Sequence, residues 1–377
     1  MRVLICPDKF AGTLSAPQVA EAIAEGWGSV AAESKLTRRP LADGGPGFVE
    51  VLAAALGGTR VPVETVDPLG RPVTGEVLVV GDTAYVESAQ ACGLHLLSKD
   101  ERDPKLTTSG GLGILISAAA ETGARTVVVG LGGSATNDGG AGMLTTMHVL
   151  PMDGSGRHYV LPYGGRTLPQ ITRIDDIRQT RGVRLVAATD VDNPLCGLHG
   201  ASNVFGPQKG ATREDVLMLD AALEHFAAIM VRDIKGCPPD VRDMPGAGAA
   251  GGIGAAIFAL GGTRESGVDL VRSATGLDAA LDEADLVITG EGSFDFQSLR
   301  GKLVSGVAAA ATERGIPCVV VAGQVSVGRR EAASAGITET HSLVEHFGTV
   351  DEAMAKPAEG LRALAARLAG QWDRPSG

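Results

Sequence analysis

The sequence predicts an α/β protein in which both chain ends build one doubly wound domain with a parallel sheet. The middle of the chain is predicted to form an inserted, mixed α+β domain. "RVLI" near the start and "DLVITG" and "CVVVAG" near the end are continuous apolar runs, typical of strands buried on both faces. Between such runs, apolar residues recur at the spacing of a helix. From about residue 60, apolar and polar residues alternate instead, which is typical of strands with one buried face.

The first part of the chain predicts the order strand, helix, strand, helix. The first strand covers 2–5, and Ser15 with Gln18 forms a capping-box pattern where the first helix begins. A weaker strand candidate covers 35–42. The second helix is predicted to end at the glycines 57–58.

The middle and last parts supply the remaining elements. In order, the patterns predict two or three antiparallel strands between 60 and 89, a helix near 110–122, a strand at 126–130, a helix from about Asn137, a loop or hairpin at 150–170, a strand at 184–190 and a helix at 213–235. Strands at 285–290 and 318–323 flank a further helix. We therefore place the doubly wound domain at 1–61 and 280–377, and the inserted domain at 62–279.

Composition excludes several classes of protein. Of the 377 residues, 44% are hydrophobic and 20% charged, which is typical of a globular chain with a core. The net charge of −11 argues against a broad nucleic-acid surface or general binding to acidic membranes. The five cysteines form no CxxC pair, which fits a reducing cytoplasm and argues against zinc. The short apolar run at the N-terminus predicts no signal peptide, and no stretch is apolar enough for a membrane span.

Acidic residues recur where predicted strands end, and ligands of open α/β sheets bind outside the carboxyl ends of the strands. Each one alone is also explained as a helix cap or turn residue. Together they favour a shared acidic site, and Mg²⁺ commonly takes one or two carboxylates plus phosphate oxygens. The five residues are Asp8, Asp43, Asp190, Glu291 and Asp295.

A glycine-rich segment, "GLGGSATNDGGAGM" at 130–143, follows a predicted strand. So much glycine indicates either a plain turn or a backbone that must approach something closely. Lys209 in "FGPQKGAT" and Lys302 in "LRGKL" lie among glycines and are candidate cations for a phosphate group. An isolated lysine is also explained as a solvated surface charge.

Other familiar motifs are absent or weak. There is no P-loop, no GxSxG elbow and no histidine spacing typical of a metal site. "GAGAAG" at 246–251 matches GxGxxG but follows no predicted strand, so close packing is an alternative to dinucleotide binding. An NAD(P)-dependent oxidoreductase therefore stays open as an alternative.

Taken together, these segments resemble the glycerate kinase family of bacterial type. The matching motifs occur in family order over most of the chain: "PDKF" with "TLSA" at 7–16, "ADGG" at 42–45, "RDPKLTTSGGLG" at 102–113, the glycine-rich segment at 130–143, "TDVDNPL" at 189–195, "GASNVFGPQKGA" at 200–211, "PGAGAAGG" at 245–252 and "TGEGSFDFQS" with "GK" at 289–302. The resemblance implies a flavodoxin-like domain, a second α/β domain, and phosphorylation of D-glycerate with ATP and Mg²⁺. Departures from the family pattern at Ala11, Pro46, Ile114 and Ser293 bear on substrate preference.

The resulting hypothesis gives each candidate residue a role. Asp190 is the base for the substrate hydroxyl, with Asp295 as second choice, and Lys209 neutralises the transferred phosphoryl group. Asp43 and Glu291 hold Mg²⁺, with Asp8 as a third candidate. The residues expected to bind substrate or phosphate are Asp8, Lys9, Gly132, Gly133, Ser134, Thr136, Asn137, Asp138, Asn193, Gln208 and Lys302.

The expected product is 2-phosphoglycerate rather than 3-phosphoglycerate, made in the cytoplasm. A diverged member that acts on another small hydroxy acid, or binds ligand without turnover, stays open. So does a homodimer as the assembly.

Overall fold

The structure, a computed structural model, describes residues 1–159, 164–177, 182–300 and 303–373, with the backbone alone at Arg300. The chain divides into two compact units. The first comprises Met1–Asp43, Glu50–Leu56 and Val268–Gly377, and the second comprises Gly44–Val49 and Gly57–Gly267. The predicted domain limits stay a prediction, because this division does not test whether either part folds alone.

The regular elements follow one another along the chain as strands and helices. The strands are β1 (Arg2–Ile5), β2 (Lys35–Arg38), β3 (Thr59–Val66), β4 (Pro72–Val80), β5 (Thr83–Glu87), β6 (Thr126–Gly130), β7 (Val149–Asp153), β8 (Ile171–Asp176), β9 (Arg184–Ala188), β10 (Thr263–Glu265), β11 (Leu286–Phe294), β12 (Cys318–Val325) and β13 (Glu339–Ser342). The helices are α1 (Ala16–Gly28), α2 (Phe48–Leu56), α3 (Ala89–Cys92), α4 (Gly110–Glu121), α5 (Ala141–Thr146), α6 (Ala201–Phe205), α7 (Arg213–Asp233), α8 (Ile253–Ala259), α9 (Gly267–Thr275), α10 (Leu277–Glu283), α11 (Phe296–Arg300), α12 (Val304–Glu313), α13 (Arg329–Ser334), α14 (Leu343–Phe347), α15 (Val350–Ala355) and α16 (Pro357–Trp372).

The first unit holds a five-stranded, fully parallel sheet with the spatial order β2–β1–β11–β12–β13. Counted along the chain, this is the order 2-1-3-4-5 of flavodoxin-like doubly wound folds. The predicted fold class is therefore confirmed. The order reverses between β1 and β11, where Ile5 pairs with Ile288. Ligands of such folds bind at this reversal, outside the carboxyl ends of the strands.

The core of the first unit explains why its strands read as continuous apolar runs. On β1, Val3 and Ile5 belong to a buried cluster that also contains residues of α1 and α16. Leu4, which points to the opposite face of the strand, is also fully buried. Both faces of the strand are thus covered, as its sequence predicts.

The second unit holds a mixed sheet with the order β10–β9–β6–β5–β4–β3. The first four strands are parallel to one another, and β4 and β3 add an antiparallel edge. A separate antiparallel pair, β7 and β8, forms the hairpin that the sequence leaves open as loop or hairpin. The inserted mixed α+β part is confirmed as well.

The helix expected from about Asn137 begins instead at Ala141, as α5. Gly139 and Gly140 both have positive φ angles, of 62° and 77°, and therefore do not continue a right-handed helix. The predicted contribution of a helix dipole at Asn137 is wrong for this reason. Separately, no helix among the described residues is long and apolar enough to cross a membrane.

Candidate active site

Two of the predicted acidic residues lie where the sheet of the first unit reverses. Asp8 follows β1, and Glu291 lies near the carboxyl end of β11. The backbone N–H of Asp8 donates to the carbonyl oxygen of Gly290 at 2.8 Å, which places Asp8 beside the residue that precedes Glu291. Both residues line the same pocket. The topology thus brings residues from opposite ends of the sequence to one position on the sheet.

The carboxyl group of Asp8 is held in an unfavourable environment for a charge. Burial raises its pKa to about 6, and the nearby charge of Asp43 acts in the same direction. Lys9 opposes both, since its backbone N–H donates to Asp8 Oδ1 at 2.7 Å and its Nζ lies 3.5 Å from the same oxygen. One ammonium group therefore compensates only part of the negative charge here.

The carboxyl group of Glu291 is in an even less favourable environment for a charge. Burial raises its pKa to about 7, and the charges of Asp8 and Asp295 add to the increase. Its Oε1 is buried, and no described residue offers it a hydrogen bond. An unsatisfied buried oxygen of this kind is costly, and a bound cation would satisfy it. We call Asp8, Asp43, Glu291 and Asp295 the acidic edge.

The other two members of the acidic edge, Asp295 and Asp43, lie in different surroundings. Oδ1 of Asp295 accepts hydrogen bonds from the N–H groups of Gln297 and Ser298, at 2.7 and 3.2 Å. Asp295 therefore fits the alternative explanation of a helix cap, here at α11. Asp43 is exposed.

The acidic edge fits a magnesium ion that is shared with phosphate, but not a site built by protein alone. Within the described ranges, no group of three or more His, Cys, Asp or Glu residues is arranged to hold a metal. Mg²⁺ needs only one or two carboxylates when phosphate oxygens and water complete its octahedron. Asp8 and Glu291 meet that requirement with two carboxyl groups near enough for the charge of Asp8 to raise the pKa of Glu291, and with the buried Oε1 of Glu291, to which no described residue donates.

In the second unit, Lys209 is turned into the glycine-rich loop. Its side chain is only 2% exposed, and Nζ donates to Ser134 Oγ at 3.0 Å and to the carbonyl oxygen of Thr136 at 2.7 Å. Burial lowers its pKa to about 8, against the opposing charge of Asp138. The lysine therefore anchors the loop from inside and puts a buried positive charge behind it.

The polar residues of this loop are themselves buried. Asp138 accepts hydrogen bonds from the N–H and Oγ of Ser109, both at 2.8 Å, and burial raises its pKa. Asn137 Nδ2 donates to Ser202 Oγ at 2.9 Å, while its Oδ1 is buried and has no hydrogen-bond partner in the described part of the chain. Ser134 and Thr136 are at most 5% exposed. All four side chains thus hold the loop in place.

Close packing accounts for much of the glycine. A Cβ atom on Gly132 would lie 2.6 Å from Cα of Gly45, and one on Gly251 would lie 1.9 Å from the carbonyl oxygen of Thr136. Gly251 belongs to "GAGAAG", which turns and short helices surround. The packing explanation therefore holds for that motif, and the oxidoreductase alternative loses its support. Gly133 is the exposed glycine of the loop.

Asp190 follows β9, and its Oδ1 accepts a hydrogen bond of 2.7 Å from Ser266 Oγ. Beside it, Arg264 donates to the carbonyl oxygen of Thr189 at 3.3 Å and pairs with Asp192. Sequence reasoning misses Ser266 and Arg264. They lie on or after β10, whose three residues are too few to show a strand pattern.

Three further residues are predicted to contact ligand: Asn193, Gln208 and Lys302. Asn193 Nδ2 donates to the carbonyl oxygen of His199 at 2.8 Å, which ties its own loop together. Gln208 is exposed. Lys302 lies outside the described residues.

Glu87 is a further polar residue that the sequence reasoning does not identify. It is 4% exposed at the carboxyl end of β5, and its Oε2 accepts hydrogen bonds from the N–H groups of Gly47 and Val49, at 3.0 and 3.4 Å. It thereby fixes the segment that packs against Gly132. The rule that functional residues follow strand ends is the signal that would find it.

Comparison with known proteins gives one consistent result. A family model described as the glycerate kinase family matches residues 3–373. A glycerate 2-kinase of Escherichia coli (strain K12) is 40% identical over 380 residues, covering 98% of each chain. A glycerate kinase of Bacillus subtilis (strain 168) is 40% identical over 376 residues, covering 98% of this chain and 97% of its own.

A solved structure agrees with the sequence relatives. The crystal structure of a Salmonella typhimurium LT2 protein assigned as glycerate kinase 2 superposes with a TM-score of 0.81 at 38% identity. The match covers 99% of this chain and 98% of the other. The resemblance inferred from the motifs is confirmed.

Proposed function

Since this chain belongs to the glycerate kinase family, we propose that it transfers the γ-phosphoryl group of ATP to a hydroxyl group of D-glycerate. The product is 2-phosphoglycerate, as the name of the Escherichia coli relative suggests. The acidic edge carries the proposal: Asp8 and Glu291 meet at the sheet reversal with more negative charge than Lys9 compensates. Such a place is suited to the magnesium complex of a nucleotide.

Asp190 is the base in this proposal. The glycerate hydroxyl oxygen attacks the γ-phosphorus, the bond from that phosphorus to the β–γ bridging oxygen breaks, and the hydroxyl proton passes to the Asp190 carboxylate. ADP leaves with the electron pair of the broken bond. The hydrogen bond from Ser266 to Oδ1 orients the carboxylate that receives the proton in this proposal. Asp295 is the weaker candidate, because it already caps α11.

The acidic edge holds the donor. Asp8 and Glu291, with Asp43 beside them, are the residues that would bind Mg²⁺, and Lys9 adds a positive charge for phosphate oxygens. When bound, the ion neutralises charge on the phosphate groups and orients them.

The glycine-rich loop holds an anionic group of the substrates in this proposal. Backbone N–H groups at Gly132, Gly133 and Ser134 are the candidate donors, and Lys209 supplies a positive charge from behind. Because Ser134, Thr136, Asn137 and Asp138 are buried, their proposed contribution is to shape the loop. Asn193, Gln208 and Lys302 stay as proposed ligand contacts.

The cellular setting completes the proposal. We place the enzyme in the cytoplasm, in organic acid metabolism, with a homodimer as the open question of assembly. Size-exclusion chromatography with light scattering measures the assembly directly.

The decisive experiment is an assay for ADP release with MgATP and a panel of small hydroxy acids. We expect turnover with D-glycerate above every other acid, and ³¹P–¹H correlation NMR of the product should couple phosphorus to the proton on C2. Coupling to the C3 protons would identify 3-phosphoglycerate instead. Release of ADP with another acid but not with glycerate, or binding without release, would establish the diverged alternatives.

A further inference from the structure

A pocket of about 420 Å³ in the first unit extends from the acidic edge along the carboxyl ends of the parallel strands. Its floor comes from Asp8 after β1, Glu291 on β11 and Gly323 on β12. Leu343, which follows β13 directly, closes the far end. Four neighbouring strands of one sheet therefore contribute, and the volume lies in the range of small-ligand sites.

The two ends of the pocket differ in chemistry. Asp8, Lys9 and Glu291 make one end charged. The other end is aliphatic and is formed by α14, α15 and the start of α16. A ligand that fills the pocket must therefore carry, at one end, a group that coordinates a metal cation, because this end of the pocket is acidic. At its other end it must carry a largely apolar group.

Two residues of the apolar end are exposed in a way that packing does not explain. Val350 and Met354 lie four residues apart on α15, hence on one helix face, and are 47% and 54% exposed. Single exposed apolar residues are ordinary, but a pair that lines a pocket marks a binding surface. Ala353 lies between them in sequence and is buried, so the helix itself packs against the rest of the unit.

We propose that the pocket holds the base and ribose of the nucleotide, with the base against Val350, Met354 and Leu343 and the phosphates at Asp8 and Glu291. The inference rests on the proposed function, because it assigns the donor substrate to a place. A flat heteroaromatic ring fits between aliphatic side chains, and its dispersion contacts do not require a cation there. Phosphates at the opposite end meet the acidic edge only as their magnesium complex.

The test compares two ligands that share the phosphate end and differ at the base. Isothermal titration calorimetry should measure MgADP and magnesium pyrophosphate with the wild type, Val350→Glu and Met354→Glu. Both substitutions sit on exposed positions, which keeps the fold intact. We expect each to weaken MgADP binding about tenfold or more, since tenfold is about 1.4 kcal/mol, and to leave pyrophosphate binding unchanged. Met354→Leu, which keeps an apolar side chain, should weaken MgADP binding far less than Met354→Glu.

Leu217→Glu is the matched control, because Leu217 is an exposed apolar residue on α7 of the other unit. It should bind both ligands as the wild type does. Unchanged MgADP affinity in Val350→Glu and Met354→Glu would overturn the inference. An equal loss of affinity for MgADP and for magnesium pyrophosphate would overturn the inference too, because Val350 and Met354 would then affect the phosphate end and not the base.

The outcome separates this inference from the proposed function. If the enzyme phosphorylates glycerate with MgATP and neither Val350→Glu nor Met354→Glu changes this turnover, the proposed function stands and the pocket assignment falls. If the two substitutions selectively weaken MgADP binding but the wild type does not phosphorylate glycerate, the pocket assignment stands and the proposed function falls. A wild-type protein that binds no MgADP contradicts both.

Discussion

The hydroxyl group of Ser266 donates a 2.7 Å hydrogen bond to Oδ1 of Asp190, across 76 residues of sequence. The bond joins the ends of β9 and β10, which pair in parallel. In the proposed mechanism Asp190 accepts a proton from the substrate, and this contact sets the orientation of its carboxylate.

Asp190→Asn should lower kcat by about 100-fold or more and leave the fold intact, because an amide cannot take the hydroxyl proton. Steady-state kinetics with MgATP and glycerate measures this, with circular dichroism for the fold. Asp192→Asn is the control: its exposed carboxylate pairs with Arg264, and surface pairs of this kind contribute little. Near-normal kcat in Asp190→Asn would assign the base elsewhere.

Ser266→Ala should lower kcat by about tenfold, which corresponds to one hydrogen bond to a charged group. The KM for glycerate should change little, because Ser266 acts through Asp190 and not on the substrate. Ser266→Thr, which restores a hydroxyl group, should recover much of the loss. A rise in KM with kcat unchanged would show that Ser266 contacts substrate instead.

Lys209 should make stability depend on pH in a specific window. Its pKa is about 8 in the folded chain and ordinary, near 10.5, in the unfolded one. Below pH 8 both states keep the proton. Between these values only the unfolded state binds it, so this group's contribution to the unfolding free energy rises with pH, by up to about 1.4 kcal/mol per pH unit.

Urea unfolding of wild type and Lys209→Met at pH 7 to 10 tests this. The stability of the wild type relative to the variant should increase from pH 8 upward. Lys99→Met, which removes an exposed lysine, is the control for the loss of one positive charge. A difference that is flat with pH would mean that Lys209 titrates normally and is not buried as described.

Gly132→Ala should destabilise the fold by about 1–3 kcal/mol, the usual cost of overpacking, since its Cβ would lie 2.6 Å from Gly45 Cα. Gly306→Ala is the matched control, because that glycine lies inside α12 with nothing within 4 Å of a Cβ. The control should gain about 0.5–1 kcal/mol. Thermal and urea unfolding give both values; equal effects at both sites would contradict tight packing at Gly132.

Magnesium should displace protons when the nucleotide binds. The raised pKa values of Asp8 and Glu291, about 6 and about 7, leave both partly protonated near pH 6.5. Metal binding requires the ionised forms, so protons are released at pH 6.5, and the release fades by pH 8.5, where both are already ionised. Calorimetry in buffers of different ionisation enthalpy measures it.

Two comparisons sharpen that measurement. ADP with EDTA should bind weakly and without proton release, and Glu291→Gln should raise the Mg²⁺ concentration needed for half-saturation by about tenfold. Equal proton release at pH 6.5 and 8.5 would remove Asp8 and Glu291 from the magnesium site.

The sequence predicts the elements well wherever a strand or helix is long and its pattern is clean. The strand at 126–130 has those limits in the structure, and the 2-1-3-4-5 order agrees with the doubly wound class. The start of α5 is missed because Gly139 and Gly140, which have positive φ angles, look no different in sequence from glycines with helical φ angles. Ser266 is missed because β10 is too short to show periodicity.

The candidate site shows a different limit. Strand-end reasoning finds Asp8 and Glu291, which topology brings to one edge of the parallel sheet, and Asp190, which follows β9 in the mixed sheet of the second unit. It cannot tell that Lys209 points inward, or that Asp295 caps a helix, because both depend on side-chain directions set by packing. Nor can it tell that Gly132 and Gly133, predicted as ligand contacts, also pack too closely against Gly45 and Pro46 to admit a Cβ atom.

The interior position of β1 in its sheet, between β2 and β11, has a consequence for how this chain is made. Its neighbour β11 begins only at Leu286, so the ion pair of Arg2 with Asp285 joins residues 283 apart. At about 5–20 residues per second, a ribosome needs about 15–60 seconds to synthesise the intervening chain. During that time the apolar strand waits without one of its two partners, while the mixed sheet of the second unit emerges complete. We therefore expect the N-terminal strand to stay without its full set of sheet partners for most of the synthesis of the chain.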